Sequence, residues 1–197
     1  MTAIATPPSW AEAVLRASLP CDDFESTSGD LLEHYRESAY PERGPRAADR
    51  WYVRQVLGFL WRGARLWAAI IAAGFLARTA FDWRLPTHDF HMRSATTTVL
   101  GIAIFLVVGF WAGARSGRVV AGPVLGLASA AVAASFSLLG AAILLAFCHD
   151  ETTLTAIRGS GGLGEVFVLP LVAVLPGALL GAIGGALGVA TRRLRLG

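Results

Sequence analysis

Two short clusters group the residue types from which metal sites and acid–base pairs are built. "THDFHMR" supplies His88, Asp89 and His91, and "CHDET" supplies His149, Asp150 and Glu151. Imidazoles and carboxylates from two loops on one side of a protein can hold a zinc-like ion. The spacing matches no recognised ligand pattern, and cysteine or histidine pairs at ligand spacing are missing. Polar residues at helix ends are the commoner reason for such clusters. The expectation is therefore no metal and no cofactor, with His88, His91 and His149 as the candidate ligands if one binds. The glycines of "RGSGGLGEV", Arg158 to Val166, look superficially like a phosphate loop. They lack the Gly-Lys-Ser/Thr ending and a preceding strand, so they read as a flexible loop. There is no nucleophilic serine elbow. His34, in "LLEHYR", has no evident partner and reads as part of a solvated helix face. The chemistry-bearing residues thus point away from an enzyme.

The composition says where these residues must sit. The 197-residue chain is 54% hydrophobic and 16% charged, where a soluble domain carries about a quarter charged residues. Its mean hydropathy is +0.55, which implies an integral membrane protein. Every basic residue is arginine. Residues 1–56 hold nine acids and six arginines, and the remainder holds five acids and eleven arginines. An acidic front and a basic membrane part do not make a nucleic-acid footprint. Cys21 and Cys148 fall in regions of different depth and read as free thiols. "MTAIATPPSW" lacks the basic start and apolar core of a signal peptide, so none is expected.

Along the chain, residues 1–50 read as a short helical head. "SWAE", Ser9 to Glu12, has capping-box spacing, and a helix over about Trp10 to Leu19 should follow, stopped by Pro20. "CDDFESTSGDLLEHYRES" reads as a second helix, with Phe24, Leu31 and Tyr35 on one face. "YPERGPR" should break it through Pro41, Gly44 and Pro45. Two short helices bury little core alone, so the head must lean on the third helix, the membrane surface or a partner. The third helix should run from Arg46 past Thr79, through the boundary aromatics Trp51, Tyr52, Phe59 and Trp61.

Residues 51–197 read as a transmembrane region with spans at about 64–82, 96–114, 123–148 and 166–190. The first is short. Twelve residues separate Arg65 from Arg78, against the about 20 that a span needs, so the segment spans only if both arginines snorkel outward. If it does not span, the head moves to the far side while the tail stays inside. The arginines around Arg54, Arg62, Arg65, Arg115, Arg118, Arg192, Arg193 and Arg195 put the head, the second loop and the tail on the cytoplasmic side of an inner membrane. The fold class expected is all-α, a four-helix transmembrane bundle behind a cytoplasmic helical head.

Small residues recur every fourth position: Gly109 and Gly113; Gly122, Gly126, Ala130 and Ala134; Gly177, Gly181 and Gly185, with Gly184 and Gly188 beside them. That spacing lets helix backbones approach closely in lipid, within one bundle or between copies of the chain. No Asp, Glu, Lys, Arg or His falls inside the last three spans, where ion pathways and proton relays place theirs. The hydroxyls there are Thr96 to Thr98, Ser129, Ser135 and Ser137.

Three stretches of the head, "PPSWAEAVLRASLP", "GDLLEHYRES" and "RAADRWYVRQVLGFLWR", together resemble the permease prefix domain. This is the N-terminal helical module of certain bacterial ABC-transporter permeases of the macrolide-export type. The resemblance is carried by Pro7, Pro8, Trp10, Gly29, Asp30, Leu31, Glu33, Tyr35, Arg36, Trp51, Tyr52, Arg54, Gln55 and Val56. It covers about residues 7–62, under a third of the chain. The rest departs from that family, whose members carry a large extracytoplasmic domain after the first span. The resemblance implies a docking or membrane-entry module and carries over no catalytic residue. Two functions follow as expectations. One is a non-enzymatic accessory or regulatory subunit of a transport system, docking another membrane protein through Asp30, Glu33, Tyr35, Arg36, Trp51, Tyr52 and Arg54. The other is a small homo-oligomeric transporter or channel lined by small and hydroxyl residues. Membrane lipid is a partner in both.

Overall fold

Among the residues described (5–84, 90–147, 151–159 and 162–196), the computed structural model contains helices and no strand. The head opens with α1, Ser9–Ser18, which buries Ala11 and Leu15 four residues apart. Ser9 is already helical and Pro8 stands at the cap, so the expected Ser9–Glu12 capping box does not form. Leu19 is extended (φ −102°, ψ 150°), the conformation that a following proline imposes. Pro20 then leads into α2, Cys21–His34, whose first turn carries Asp22 and Asp23 at the positive end of the helix dipole.

Pro41 does not end this helix as expected. The chain widens into a π turn over Tyr35–Ala39 and continues as α3, Tyr40–Arg43. The widening lies just before the residue that has no N–H to give to a regular helical bond. The break comes at Gly44, whose φ of 75° suits a residue without a Cβ.

The helix α4 runs unbroken for 40 residues, Pro45–Arg84. Its first turns complete the head. Ala48, Tyr52 and Val56 pack with Ala11, Leu15, Phe24, Tyr35 and Ala39 into one core. The head therefore leans on the third helix, and its core reaches past the expected boundary at residue 50.

Four helices are long and apolar enough to cross a membrane: α4; α5, Phe90–Ser116; α6, Ala121–Phe147; and the pair α8, Gly162–Val172, and α9, Val174–Leu196. The chain is an all-α membrane protein. Pro123 lies inside the first turn of α6, at a position whose N–H would have no helical partner in any case. The fourth span is interrupted at Ala173, three residues before Pro176. Ala173 N–H still reaches the Leu169 carbonyl and Gly177 N–H the Ala173 carbonyl, both at 2.9 Å, so the chain bends without losing continuity. A short amphipathic helix, α7, Glu151–Gly159, precedes it and buries Ile157 against Trp83, Ala141 and Val166. The glycine-rich stretch read as a loop is thus largely helix ends, with α7 closing at Gly159 and α8 opening at Gly162.

The glycine stripes face one another within the chain. A methyl group at Gly109 or Gly122 would run into the Gly181 carbonyl, one at Gly113 into the Gly185 carbonyl, and one at Gly126 into the Gly177 carbonyl. Gly184 and Gly188 likewise abut the Leu106 and Phe110 carbonyls. The helix α9 is therefore seated against α5 and α6 at once, backbone on backbone. The helix α4 joins α6 through a second seam, Ala64, Ala68 and Ala72, all buried. In lipid there is little hydrophobic drive between helices, so such packing supplies the attraction.

At the end of the bundle away from the head, the first span is closed by buried charge. Arg78 Nε donates to Asp82 at 3.2 Å and Arg78 Nη2 to Glu165 at 2.6 Å, while Arg93 Nη1 reaches Asp82 at 3.4 Å. The side chains of Arg78 and Asp82 are only 9% and 7% exposed. Arg78 does not snorkel outward as expected. It ties α4 to α8, and Asp82 ties α4 to α5.

Two predictions follow from this packing. Gly181→Ala should lower the melting temperature of the detergent-solubilised protein, because overpacking costs about 1–3 kcal/mol. Gly101→Ala, where a methyl group meets nothing within 4 Å, should leave it level or raised. Arg78→Met should destabilise by about 3 kcal/mol, the typical cost of stranding a buried charge. Adding Asp82→Asn and Glu165→Gln should recover part of that loss in the same melting assay.

Candidate docking surface and head–bundle junction

The residues expected to dock a partner separate into two sets. Asp30, Glu33, Arg36 and Arg54 are exposed. Asp30 and Glu33 lie with Glu37 at i, i+3 and i+7 along one side of the α2–π segment and make an acidic strip. Arg36 also has an internal task, its Nε donating to the Ala5 carbonyl at 3.1 Å. Trp51 is half-buried and packs on exposed His34, with ring centroids 4.7 Å apart. Tyr35 and Tyr52 are each 1% exposed and meet edge to face at 5.9 Å. These two belong to the core of the head and offer no ring to a partner. Their apolar bodies fill the space that two short helices alone could not close.

Tyr35 also fastens the chain start. Its hydroxyl donates to Asp49 at 2.7 Å and lies 3.3 Å from the Thr6 carbonyl. Burial, then the Asp49 contact, pushes its ionisation well above the ordinary phenol range. The folded head keeps the proton where the unfolded chain would lose it, from about pH 10 upward. Tyr35's contribution to stability is therefore full below about pH 10 and falls as the pH rises above it. A Tyr35→Phe variant should show a flatter loss of stability above pH 10, at a cost of about 1 kcal/mol per lost bond at neutral pH.

The head is fixed to the bundle through the turn between α5 and α6. Gly117 ends α5 with φ 69°, and its N–H bonds the Gly113 carbonyl at 2.8 Å. Ser116 Oγ accepts from the Arg118 N–H at 3.2 Å. Two reciprocal bonds then cross to the head. Cys21 Sγ donates to the Ser116 carbonyl and Arg118 Nη1 to the Arg16 carbonyl, each at 2.6 Å. The guanidinium groups of Arg16 and Arg118 stand over the Phe24 ring at 4.9 and 5.2 Å. From the last helix, Arg192 Nη1 donates to the Arg115 carbonyl at 3.1 Å, capping the negative end of α5. Cys21, Phe24, Ser116 and Arg118 were not foreseen as a joint. Arg118 and Arg192 registered in the sequence only as loop and tail charges.

Between the head and the bundle lies a cavity of about 240 Å³. Its wall includes Pro20, Asp23, Phe59, Arg62, Trp111 and Arg115. Arg62 is held over Phe59 at 5.6 Å and Arg115 over Trp111 at 5.1 Å.

Of the candidate metal ligands, His88 and His149 lie outside the described residues and His91 falls in the first turn of α5; among the described residues no group of three or more metal-ligating side chains occurs. The hydroxyls within the spans are largely turned to their own helices. Thr96, Thr97 and Thr98 bond carbonyls three or four residues back at 2.8–3.0 Å, and Ser135 bonds Ala131 at 3.0 Å. Ser129 is fully buried, and its hydroxyl has no partner among the described residues. The chain matches no family model, and no curated protein or solved structure is significantly similar to it.

Proposed function

We propose that the protein is a non-enzymatic, accessory or regulatory subunit of a transport system, and that its head is the element that docks the partner. It would reside in the inner membrane with head and tail in the cytoplasm, the side favoured by Arg115, Arg118, Arg192, Arg193 and Arg195 at the head's end of the bundle. The observation that carries the reading is the clamped head. Its two bonds across the joint hold it in register with the spans, while Asp30, Glu33 and Glu37 stay exposed on its outer side. An acidic strip on a rigid support suits a basic partner surface and can pass a push on the head directly to the membrane helices. The likeness of residues 7–62 to the permease prefix module supports the same reading. The glycine faces, which a pore lined by small residues would draw on, are occupied by each other's backbones.

Two measurements test this. Ser26→Cys in a Cys21→Ala/Cys148→Ala background should react with an impermeant thiol reagent in inverted vesicles and not in intact cells. The opposite pattern would end the cytoplasmic-partner reading. Replacing Asp30, Glu33 and Glu37 together with arginine should cut co-purification of a membrane or ATPase partner about tenfold, with the melting temperature unchanged. An unaltered partner set would reject docking through this strip.

A further inference from the structure

The cavity at the joint has the chemistry of a lipid-headgroup site, and this inference stands apart from the proposed protein partner. Its wall brings two guanidinium groups, Arg62 from α4 and Arg115 from α5, to one space with a single carboxylate, Asp23. Among the described residues neither arginine makes an ion pair. Each is held instead over an aromatic ring, Phe59 or Trp111, which orients the group and leaves its N–H donors free for an anion. Asp23 offsets one of the two charges and leaves a net positive wall. A volume of about 240 Å³ is many times the 10–15 Å³ that one water needs, so a polyatomic group fits.

The position argues for an amphiphile rather than a soluble anion. Leu60, Val124 and Leu125 line the same cavity, so its wall is apolar beyond the two arginines. Trp111 is both part of the wall and 38% exposed on the outer surface of the bundle. Trp61 and Leu57, on the neighbouring helix, are 44% and 52% exposed. Below the cavity α4 leans on α6 and touches α5 only sparsely, with Trp67 and Trp111 meeting at 6.4 Å. Tryptophans at this height and arginines beside them mark the headgroup layer. A phosphate held by Arg62 and Arg115 would leave its acyl chains on the apolar surface past Val107 and Phe110, both exposed. Basic pockets between spans on the arginine-rich side are where anionic headgroups bind.

The geometry points to this cavity as a specific site for one anionic phospholipid, its phosphate gripped by Arg62 and Arg115. Because the wall comes from the head, α4, α5 and α6 together, the bound lipid would also cement the joint.

The test uses the full-length protein in neutral phosphatidylcholine nanodiscs, titrated with phosphatidylglycerol and read by tryptophan fluorescence and by native mass spectrometry. One phosphatidylglycerol per chain should be retained and should raise the melting temperature. Arg62→Gln/Arg115→Gln should weaken retention at least tenfold, while Arg193→Gln/Arg195→Gln on the tail should keep it. Equal loss in the tail variant would mean general surface attraction and overturn the proposal, as would equal retention of phosphatidylcholine. Displacement by millimolar glycerol phosphate would assign the site to a soluble phosphate compound and overturn it too. If the double glutamine variant does not fold, Arg115→Lys serves, since it keeps the charge but loses the planar fork. It should weaken retention severalfold, and unchanged retention would reject the site.

Discussion

Backbone contact between glycines of α5, α6 and α9 is the constraint on which the rest of this structure hangs. Lipid gives helices little reason to associate through apolar side chains, because the chains of the bilayer are equally apolar. Close approach then has to come from the absence of side chains. Gly181 sits where both Gly109 and Gly122 would need room for a Cβ, so one residue sets the spacing of three helices. The α4–α6 seam repeats the device with the small, buried side chains of Ala64, Ala68 and Ala72.

Charge is confined to the two ends of this dry seam, and each end uses it differently. Away from the head, Arg78, Asp82, Arg93 and Glu165 neutralise one another across three helices. This lets an arginine close to membrane depth be buried without being stranded. At the head's end, Arg16, Arg62, Arg115 and Arg118 lie over aromatic rings instead of carboxylates. Guanidinium groups held this way keep their donors for carbonyls, as Arg118 does with Arg16, or for an outside anion. The first end is closed chemically and the second is left open. Both the proposed partner strip and the proposed lipid site lie at the open end.

The head has a small core of its own, but it is not an independent bead on a tether. Three of its core residues come from α4, which continues without a break into the first span. A force on α2 therefore has two routes into the membrane, one through α4 and one through the Cys21–Ser116 and Arg118–Arg16 bonds to the α5–α6 turn. That double attachment makes the head an extension of the spans rather than a flexible tag.

Much of the architecture was legible in residue order alone. Apolar length marked the four spans, Gly-x-x-x-Gly spacing marked their contact faces, and Pro20 and Gly44 marked the corners of the head. These are local properties: hydrophobic length, period and permitted dihedral angles act within a few residues. The alanine seam at Ala64, Ala68 and Ala72 is equally legible in its spacing of four. Only the tertiary structure decided the rest. The face shared by Phe24, Leu31 and Tyr35 was readable from its spacing, but only the packing of three helices made that face, together with Tyr52, the core of the head. Arg78 stayed inside because its partner Glu165 lies 87 residues away. The joint and its cavity join residues near 20, 60, 115 and 125, and the distances between them exist only once the glycines have brought the helices together.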